Sequence, residues 1–302
     1  MSMSGRDWGL LILLSLLWGG AFFFSKIAVG AIGPLTTAAC RVSLAATVLL
    51  AVVRLGGHAM PTGAAALGAF LVMGMLNNAI PFTLIFWGQT HIDSSLAAIL
   101  NAMTPVFAVL IAHAATADEK LTAAKGLGVV VALAGVVVLI GPAALGGLTA
   151  AGWGMLAVLA AGISYACAGL YGRRFKGLPV QVAAAGMLCA SSVVLIPAAV
   201  VVERPWAFDP GAVHVAAVVG LALLSTALAY LLYFRILQSA GATNVALVTF
   251  LIPVSALALG VLILGERLEP RAFGGMALIF AGLGIIDGRL QGLVARRLRP
   301  QR

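Results

Sequence analysis

Apolar runs of about 20 residues follow one another along this chain, and no other feature restricts its possible fold so strongly. The sequence is 62% hydrophobic and only 9% charged, so no water-soluble domain fits between the runs. Lipid offers no hydrogen-bond partners, and the runs must therefore be helical. The sequence predicts an all-α polytopic membrane protein with ten transmembrane helices, called spans 1 to 10, at roughly 7–29, 33–54, 63–88, 93–116, 122–141, 150–171, 179–201, 211–238, 242–264 and 270–288.

The basic residues fall mostly on one side of this arrangement. If the N-terminus is cytoplasmic, the outer side holds only Lys26, Arg204, Arg267 and Arg271, and Arg41 lies within span 2. An excess of Lys and Arg marks the cytoplasmic side, so we expect both termini in the cytoplasm of a bacterial-type inner membrane. The net charge of +9 then reflects this topology and contact with anionic lipids, and nucleic acid is not an expected partner.

The chain contains an internal repeat of five spans, 1–145 and 146–302. Residues 121–141 align without gaps on residues 268–288. The alignment of the two repeats pairs Gly128 with Gly275, Gly135 with Gly282, Pro105 with Pro253 and Glu119 with Glu266. An odd number of spans per unit makes the halves cross the membrane in opposite senses, and such inverted repeats are typical of transporters with a central site. The alternative is that duplication merely built a stable bundle, because small residues also serve close helix packing.

Several motifs resemble one transporter family. They are WGGAFFFSK at 18–26, Pro34 followed by Arg41, the prolines of LNAMTPVFAVL and VTFLIPVSALA, and the paired Glu-Lys-Leu and Glu-Arg-Leu sequences. Over essentially the whole chain they are similar to the EamA branch of the drug/metabolite transporter superfamily, most closely to YddG-type exporters of aromatic and other amino acids. The resemblance implies a cavity surrounded by spans 1, 3, 4, 6, 8 and 9, with spans 5 and 10 outside.

Two basic residues lie in the outer half of the membrane. Lys26 is near the outer end of span 1 and can reach the interface. Arg41 is roughly 12 Å deeper, at 1.5 Å per helical residue, and should face protein or a wet cavity. Two roles for Arg41 stay open, which are hydrogen bonding to carbonyl groups at broken helix ends and attraction of anionic carboxylates.

Other polar and aromatic residues lie deep in the spans. Asn77 and Asn78 align with Ser225 and Thr226 of the second repeat, and equivalent polar positions in inverted repeats flank the substrate site. Each could instead make an interhelical hydrogen bond or fill the core. Aromatic walls with neutral amides suit an amphipathic organic solute. The predicted substrate-binding residues are Trp18, Phe22, Arg41, Asn77, Asn78, Asn101, Tyr165, Ser225, Tyr230 and Thr249, and the predicted gating residues are Pro81, Pro105 and Pro253.

All nine acidic residues fall at span ends or in loops. A proton-coupled exchanger of cationic drugs would need a carboxylate at the midplane. The pattern favours gradient-driven export of small metabolites, including aromatic amino acids, over a proton-coupled drug/metabolite antiporter, which remains the alternative. Glu119 and Glu266 are expected to stabilise the starts of spans 5 and 10.

Other classes of function are less consistent with the sequence. The four histidines are scattered, so we predict no catalytic or metal centre and no cofactor, and a channel would show a pore helix or a charged ring. Because the two repeats complete a pseudo-symmetric pair, we expect a monomer to bind its small-molecule substrate, with membrane lipids as its other partners.

Overall fold

The computed structural model describes residues 3–117, 119–141 and 149–287, and within them the chain is helical apart from turns and short connections. Among the described residues, nine helices are long and apolar enough to cross a membrane, and the shorter apolar helix Val248–Leu262 belongs to a further span, span 9. The spans are Gly5–Ala28, Pro34–Leu55, Ala64–Gln89, Ser94–Ala115, Ala123–Ile140, Ala150–Phe175, Val180–Val202, Ala212–Ala240, the pair Ala242–Val245 and Val248–Leu262, and Pro270–Asp287. The predicted ten-helix fold is confirmed.

Some sequence predictions fall on residues outside these ranges. They concern Asp118, the repeat boundary at 145/146, the alignment partner of Gly141 at Gly288, and the basic residues between Arg289 and Arg302. The division into 1–145 and 146–302 therefore stays a prediction.

Local sequence signals explain where several spans begin. Ser4 and Asp7 form a reciprocal capping box at the start of span 1, which satisfies backbone N–H groups that a helix leaves unpaired. Pro34 begins span 2, where its missing N–H is not needed. The hydroxyl of Thr122 caps span 5, and this span ends at Gly141, whose φ of 71° favours glycine.

Spans 3 and 8 are interrupted by π-helical turns at Met75–Ala79 and Leu223–Leu228. These turns occupy equivalent positions in the two repeats, at the polar pairs that the sequence alignment matched. A π turn shifts the hydrogen-bond ladder by one residue and exposes backbone groups. The Thr226 hydroxyl accordingly donates to the Leu221 carbonyl (2.9 Å), and the Ser164 hydroxyl donates to the Leu76 carbonyl (2.7 Å).

Spans 5 and 10 pair with each other on the outside of the bundle and otherwise contact mainly span 4. A Cβ atom added to Gly128 would lie 2.7 Å from the Gly282 carbonyl oxygen, and one added to Gly135 would lie 2.7 Å from the Gly275 carbonyl oxygen. Because the alignment matches Gly128 with Gly275 and Gly135 with Gly282, the contacts are reciprocal. Reciprocity of this kind indicates a two-fold axis.

The remaining spans follow the same symmetry. Span 2 packs on span 7, span 1 packs on spans 8 and 9, and span 6 packs on their counterparts, spans 3 and 4. Spans 4 and 9 meet at one end only, where Ser94–Asn101 contacts Val248–Leu262. In the described residues, the opposite ends, Thr104–Ala115 and Ala242–Val245, make no comparable contact. The two halves thus form an inverted pair that is closed at the face opposite the N-terminus.

Candidate functional site

A cavity of about 470 Å³ lies between the two halves, within the range of about 300–1,000 Å³ typical of small-molecule sites. Its walls come from spans 1, 3, 4, 6, 8 and 9, as the family resemblance implied, and also from spans 2 and 7. Nine of the ten predicted binding residues line it, namely Trp18, Phe22, Arg41, Asn77, Asn101, Tyr165, Ser225, Tyr230 and Thr249.

Asn78 lies outside the cavity lining. Its side chain is fully buried, and its amide nitrogen donates to the Ser191 hydroxyl of span 7 at 3.3 Å. Successive residues on a helix point in different directions, so Asn77 faces the cavity whereas Asn78 faces span 7. This position corresponds to the interhelical hydrogen bond that was the alternative for Asn78, and it does not support a binding role.

The predicted gating prolines occupy different environments. Pro105 lines the cavity directly after a break in span 4 at residues 102–103, whereas Pro253 is buried inside the continuous helix Val248–Leu262. Pro81 is buried at the second residue of the helix that follows the π turn of span 3. The helix breaks of spans 4 and 9 therefore do not fall at equivalent positions, since span 9 breaks at residues 246–247, and the gating roles of the three prolines stay predictions.

Two repeat-equivalent pairs of aromatic rings face the cavity. Phe82 and Phe86 stack with their ring centroids 6.1 Å apart, and Tyr230 and Phe234, at the matching positions of span 8, stack at 5.8 Å. The ring centroids of Trp18 and Tyr233 lie 5.5 Å apart. Sequence reasoning missed Phe82, Phe86 and Phe234 as lining residues, although their spacing of four residues in both repeats was a usable signal.

Asn77, Asn101 and Ser225 contribute neutral polar groups to the cavity wall. The Asn77 amide donates to the Tyr230 hydroxyl at 3.2 Å. The side-chain oxygens of Asn101 and Ser225 are buried and have no hydrogen-bond partner in the described residues. Buried polar groups are normally paired, so these two oxygens are unsatisfied polar atoms in the wall of the cavity.

Arg41 is the cation of this cavity. Its side chain is 8% exposed, its Nε donates to the Thr226 hydroxyl at 2.9 Å, and its guanidinium carbon lies 3.7 Å from the centroid of the Phe82 ring. The hydroxyl belongs to the π turn of span 8, and the ring belongs to span 3. Arg41 thus contacts both repeats and, among the described residues, binds no backbone carbonyl at a helix end.

Lys26 makes hydrogen bonds that the sequence did not indicate. Its Nζ donates to the backbone carbonyls of Gln89 and Ile92, each at 2.8 Å. These carbonyls lie at and just beyond the end of span 3, where a helix leaves its last carbonyls unpaired. Lys26 therefore links span 1 to the end of span 3, and its extension to the membrane interface stays a prediction.

Two glutamates close the face opposite the N-terminus. The Glu266 carboxylate accepts four hydrogen bonds from the backbone N–H and hydroxyl groups of Ser94 and Ser95, at 2.5–3.0 Å. Glu203, which follows span 7, accepts from the backbone N–H groups of Leu35 and Thr36 at 2.9 and 2.8 Å. Both carboxylates cap the start of a span from the opposite repeat, with charge of the sign that a helix start favours.

These contacts correct the expectation for the two repeat-related glutamates. Glu266 caps span 4 and not span 10, and Glu119 forms an exposed ion pair with Arg173 at 2.5 Å. The hydroxyl of Thr122, not Glu119, caps span 5. Burial, together with the neighbouring Glu266 charge, raises the pKa of Asp93, which directly precedes span 4.

The cavity is closed at one end and open at the other. Towards the face opposite the N-terminus, its lining residues Ser25, Ile85 and Phe86 are at most 5% exposed. At the N-terminal face, the lining residue Val180 begins span 7 and is 38% exposed. A solute can therefore enter from the N-terminal face, and the other entrance is sealed in this conformation.

Comparisons with known proteins agree with this architecture. The chain is 28% identical to the Uncharacterized inner membrane transporter YedA of Escherichia coli (strain K12), over 86% of this chain and 84% of the relative. It is 27% identical to the Probable terminal-alkyne amino-acid exporter of Streptantibioticus cattleyicolor, over 97% and 96%. It is also 27% identical to the Probable amino-acid metabolite efflux pump of Escherichia coli (strain K12), over 94% and 95%.

One solved crystal structure shares the fold, with a TM-score of 0.67 over 98% of this chain and 100% of that chain, at 22% sequence identity. The sequence pattern of the EamA-like transporter family matches residues 8–141 and again residues 152–286. The two matches cover both halves of the bundle that encloses the cavity. The chain therefore belongs to the EamA-like transporter family of the drug/metabolite transporter superfamily and is an integral membrane transporter.

Proposed function

We propose that this protein exports small organic metabolites, including aromatic amino acids, by alternating access, and that it functions as a monomer with both termini in the cytoplasm. The observation that carries the proposal is the cavity between the two repeats, which combines two aromatic pairs with unpaired polar groups. A site at the interface of inverted repeats can be exposed to either side when one half moves against the other.

The cavity offers a place for each part of an aromatic amino acid. The rings of Phe82 and Tyr230, one from each repeat, can pack against an aromatic side chain. The unpaired oxygens of Asn101 and Ser225 can accept hydrogen bonds from an ammonium group. Neutral acceptors bind such a group weakly, which suits an exporter that must release its cargo, and we expect millimolar affinity, or about −4 kcal/mol.

Two relatives support amino acids as cargo. The Streptantibioticus relative is named as a probable exporter of a terminal-alkyne amino acid and the Escherichia coli relative as a probable efflux pump for amino-acid metabolites, and both match nearly the whole chain. At 27% identity the two relatives indicate which substrates to test first. The rings and polar groups of the cavity give a chemical reason to begin with amino acids.

The test is flux in proteoliposomes. Phenylalanine, threonine and a cationic dye are compared with and without an imposed pH gradient. We expect both amino acids to move down their concentration gradients without a proton gradient, because none of the described residues that line the cavity carries a carboxylate. Strict dependence on the gradient, or dye flux without amino-acid flux, would favour the proton-coupled antiporter instead.

The orientation needs its own test. In a background without the three native cysteines, we expect thiols introduced by Lys120→Cys and Arg174→Cys to react only from the cytoplasm. Those introduced by Arg204→Cys and Arg271→Cys should react only from outside. With this orientation, the open end of the cavity loads from the cytoplasm, as export requires. The reverse labelling pattern would overturn the assignment.

A further inference from the structure

Arg41 is a buried cation with unused hydrogen-bond donors. Only its Nε has a hydrogen-bond partner among the described residues, the Thr226 hydroxyl. The other four of the five guanidinium N–H donors belong to the two terminal nitrogens, and the side chain lines the cavity. These donors form a planar fork that matches a carboxylate.

Arg41 has no counter-ion in the described ranges. Every acidic residue there lies in the first or last turn of a span or in a connection. The ion pairs Arg173–Glu119 and Arg271–Glu269 use other arginines at exposed positions. An uncompensated charge in a low-dielectric site is costly, and the Phe82 ring offsets that cost only in part. A ligand that brings a negative charge would complete the site.

We infer that Arg41 binds the carboxylate of the substrate and that this carboxylate, more than the ammonium group, determines which solutes the cavity accepts. The inference rests on the proposed function and narrows its substrate class to amphipathic monocarboxylates, with or without an amine. An ammonium group finds only neutral acceptors at Asn101 and Ser225. An organic cation without a carboxylate meets an unpaired like charge, which disfavours its binding.

Three compounds that share a phenyl ring separate the two charges. Phenylalanine is a zwitterion, 3-phenylpropanoate keeps only the carboxylate, and phenethylamine keeps only the ammonium group. Each is assayed in proteoliposomes both for its own flux and for inhibition of phenylalanine flux. We expect 3-phenylpropanoate to inhibit within about tenfold of phenylalanine and phenethylamine to inhibit at least about 100-fold more weakly, as expected for a missing charge pair.

Variants assign the effect to Arg41. We expect Arg41→Gln to weaken inhibition by both carboxylates by roughly 30- to 100-fold and to reduce the discrimination against phenethylamine. Arg41→Lys should retain part of the affinity, because it keeps the charge and loses the fork. Arg235→Gln is the matched control, because Arg235 is exposed on span 8 beside the lining residue Phe234, and it should leave all three inhibition constants unchanged.

The outcomes separate the inference from the proposed function. Phenethylamine that inhibits the unmodified protein as well as phenylalanine does would overturn the inference while amino-acid export stands. The inference would also be overturned if Arg41→Gln left the affinity for both carboxylates unchanged. Absence of flux for all three compounds would overturn both. If Arg41→Gln does not fold, the ranking of the three compounds on the unmodified protein decides alone.

Discussion

Substitution of Glu266 by Gln tests how the face opposite the N-terminus is held closed. The carboxylate accepts four hydrogen bonds from Ser94 and Ser95, and both serines are fully buried. The amide of Gln keeps one acceptor oxygen and places an N–H₂ donor where the other oxygen was, so one backbone N–H group loses its acceptor, whereas the serine hydroxyl beside it can turn to accept. Hydrogen bonds to charged groups contribute about 1.5–3 kcal/mol each and neutral ones about 0.5–1.5 kcal/mol, so the loss of one bond and the weakening of the others should cost the closed conformation about 3 kcal/mol.

The cost should appear as exposure of the sealed end of the cavity. A difference of about 3 kcal/mol corresponds to about 100-fold in an equilibrium constant. The reporter is the thiol introduced by Ile85→Cys in a background without native cysteines, because Ile85 lines the closed end and is 5% exposed. A membrane-impermeant maleimide added from the closed face should modify this thiol roughly 10- to 100-fold faster when Glu266→Gln is present.

Glu269→Gln is the matched control for this experiment. Glu269 lies three residues further along the same connection and pairs only with Arg271 among the described residues, with a side chain that is 64% exposed. It should leave the labelling rate unchanged. If Glu266→Gln folds, as judged by its elution as a single species, and labels at the unmodified rate, then the four hydrogen bonds do not hold the face closed and the reasoning fails.

Further substitutions test the cavity, the break in span 4 and the outer pair. Tyr230→Ala removes a ring that stacks on its neighbour, so we expect phenylalanine flux to fall about tenfold while threonine flux changes little. Pro105→Ala supplies an N–H group next to the break in span 4 and should slow transport, measured by flux from both sides, more than Pro253→Ala, whose proline lies in a continuous helix. Gly282→Val places a Cβ atom 2.5 Å from a backbone oxygen of span 5 and should lower the melting temperature in detergent. Gly274→Val, with 3.9 Å to its nearest neighbour, should not.

The fold was largely predictable because it depends on patterns that are visible in the sequence alone. Apolar runs longer than 18 residues define the spans, and the gapless glycine alignment predicted the repeat. A two-fold axis exchanges the positions that the alignment makes equivalent. The contact of Gly128 with Gly282 therefore recurs as the contact of Gly135 with Gly275. Nothing comparable signalled the break in span 9, which falls four residues before its counterpart in span 4.

The site was less predictable because side-chain direction depends on exact helix register. Asn77 and Asn78 were indistinguishable in sequence, yet a π turn directs only the first towards the cavity. The contacts of Lys26 were not predictable, because its partners, the carbonyls at and just after the end of span 3, are more than 60 positions away in the chain. The helix that Glu266 caps was not predictable for the same reason, because its hydrogen-bond partners lie in the other repeat.

The pairing of span 5 with span 10 also has a consequence for biogenesis. Span 5 enters the bilayer midway through synthesis, but its glycine face packs against the last of the ten spans. Until span 10 is inserted, lipid chains must cover the glycine face of span 5, which otherwise packs against the backbone of span 10. A chain stalled or truncated before this point would carry an unsatisfied small-residue face, which is the kind of surface through which transmembrane helices associate. We therefore expect such intermediates to depend on chaperoning by the insertion machinery and to be preferred targets of membrane proteases.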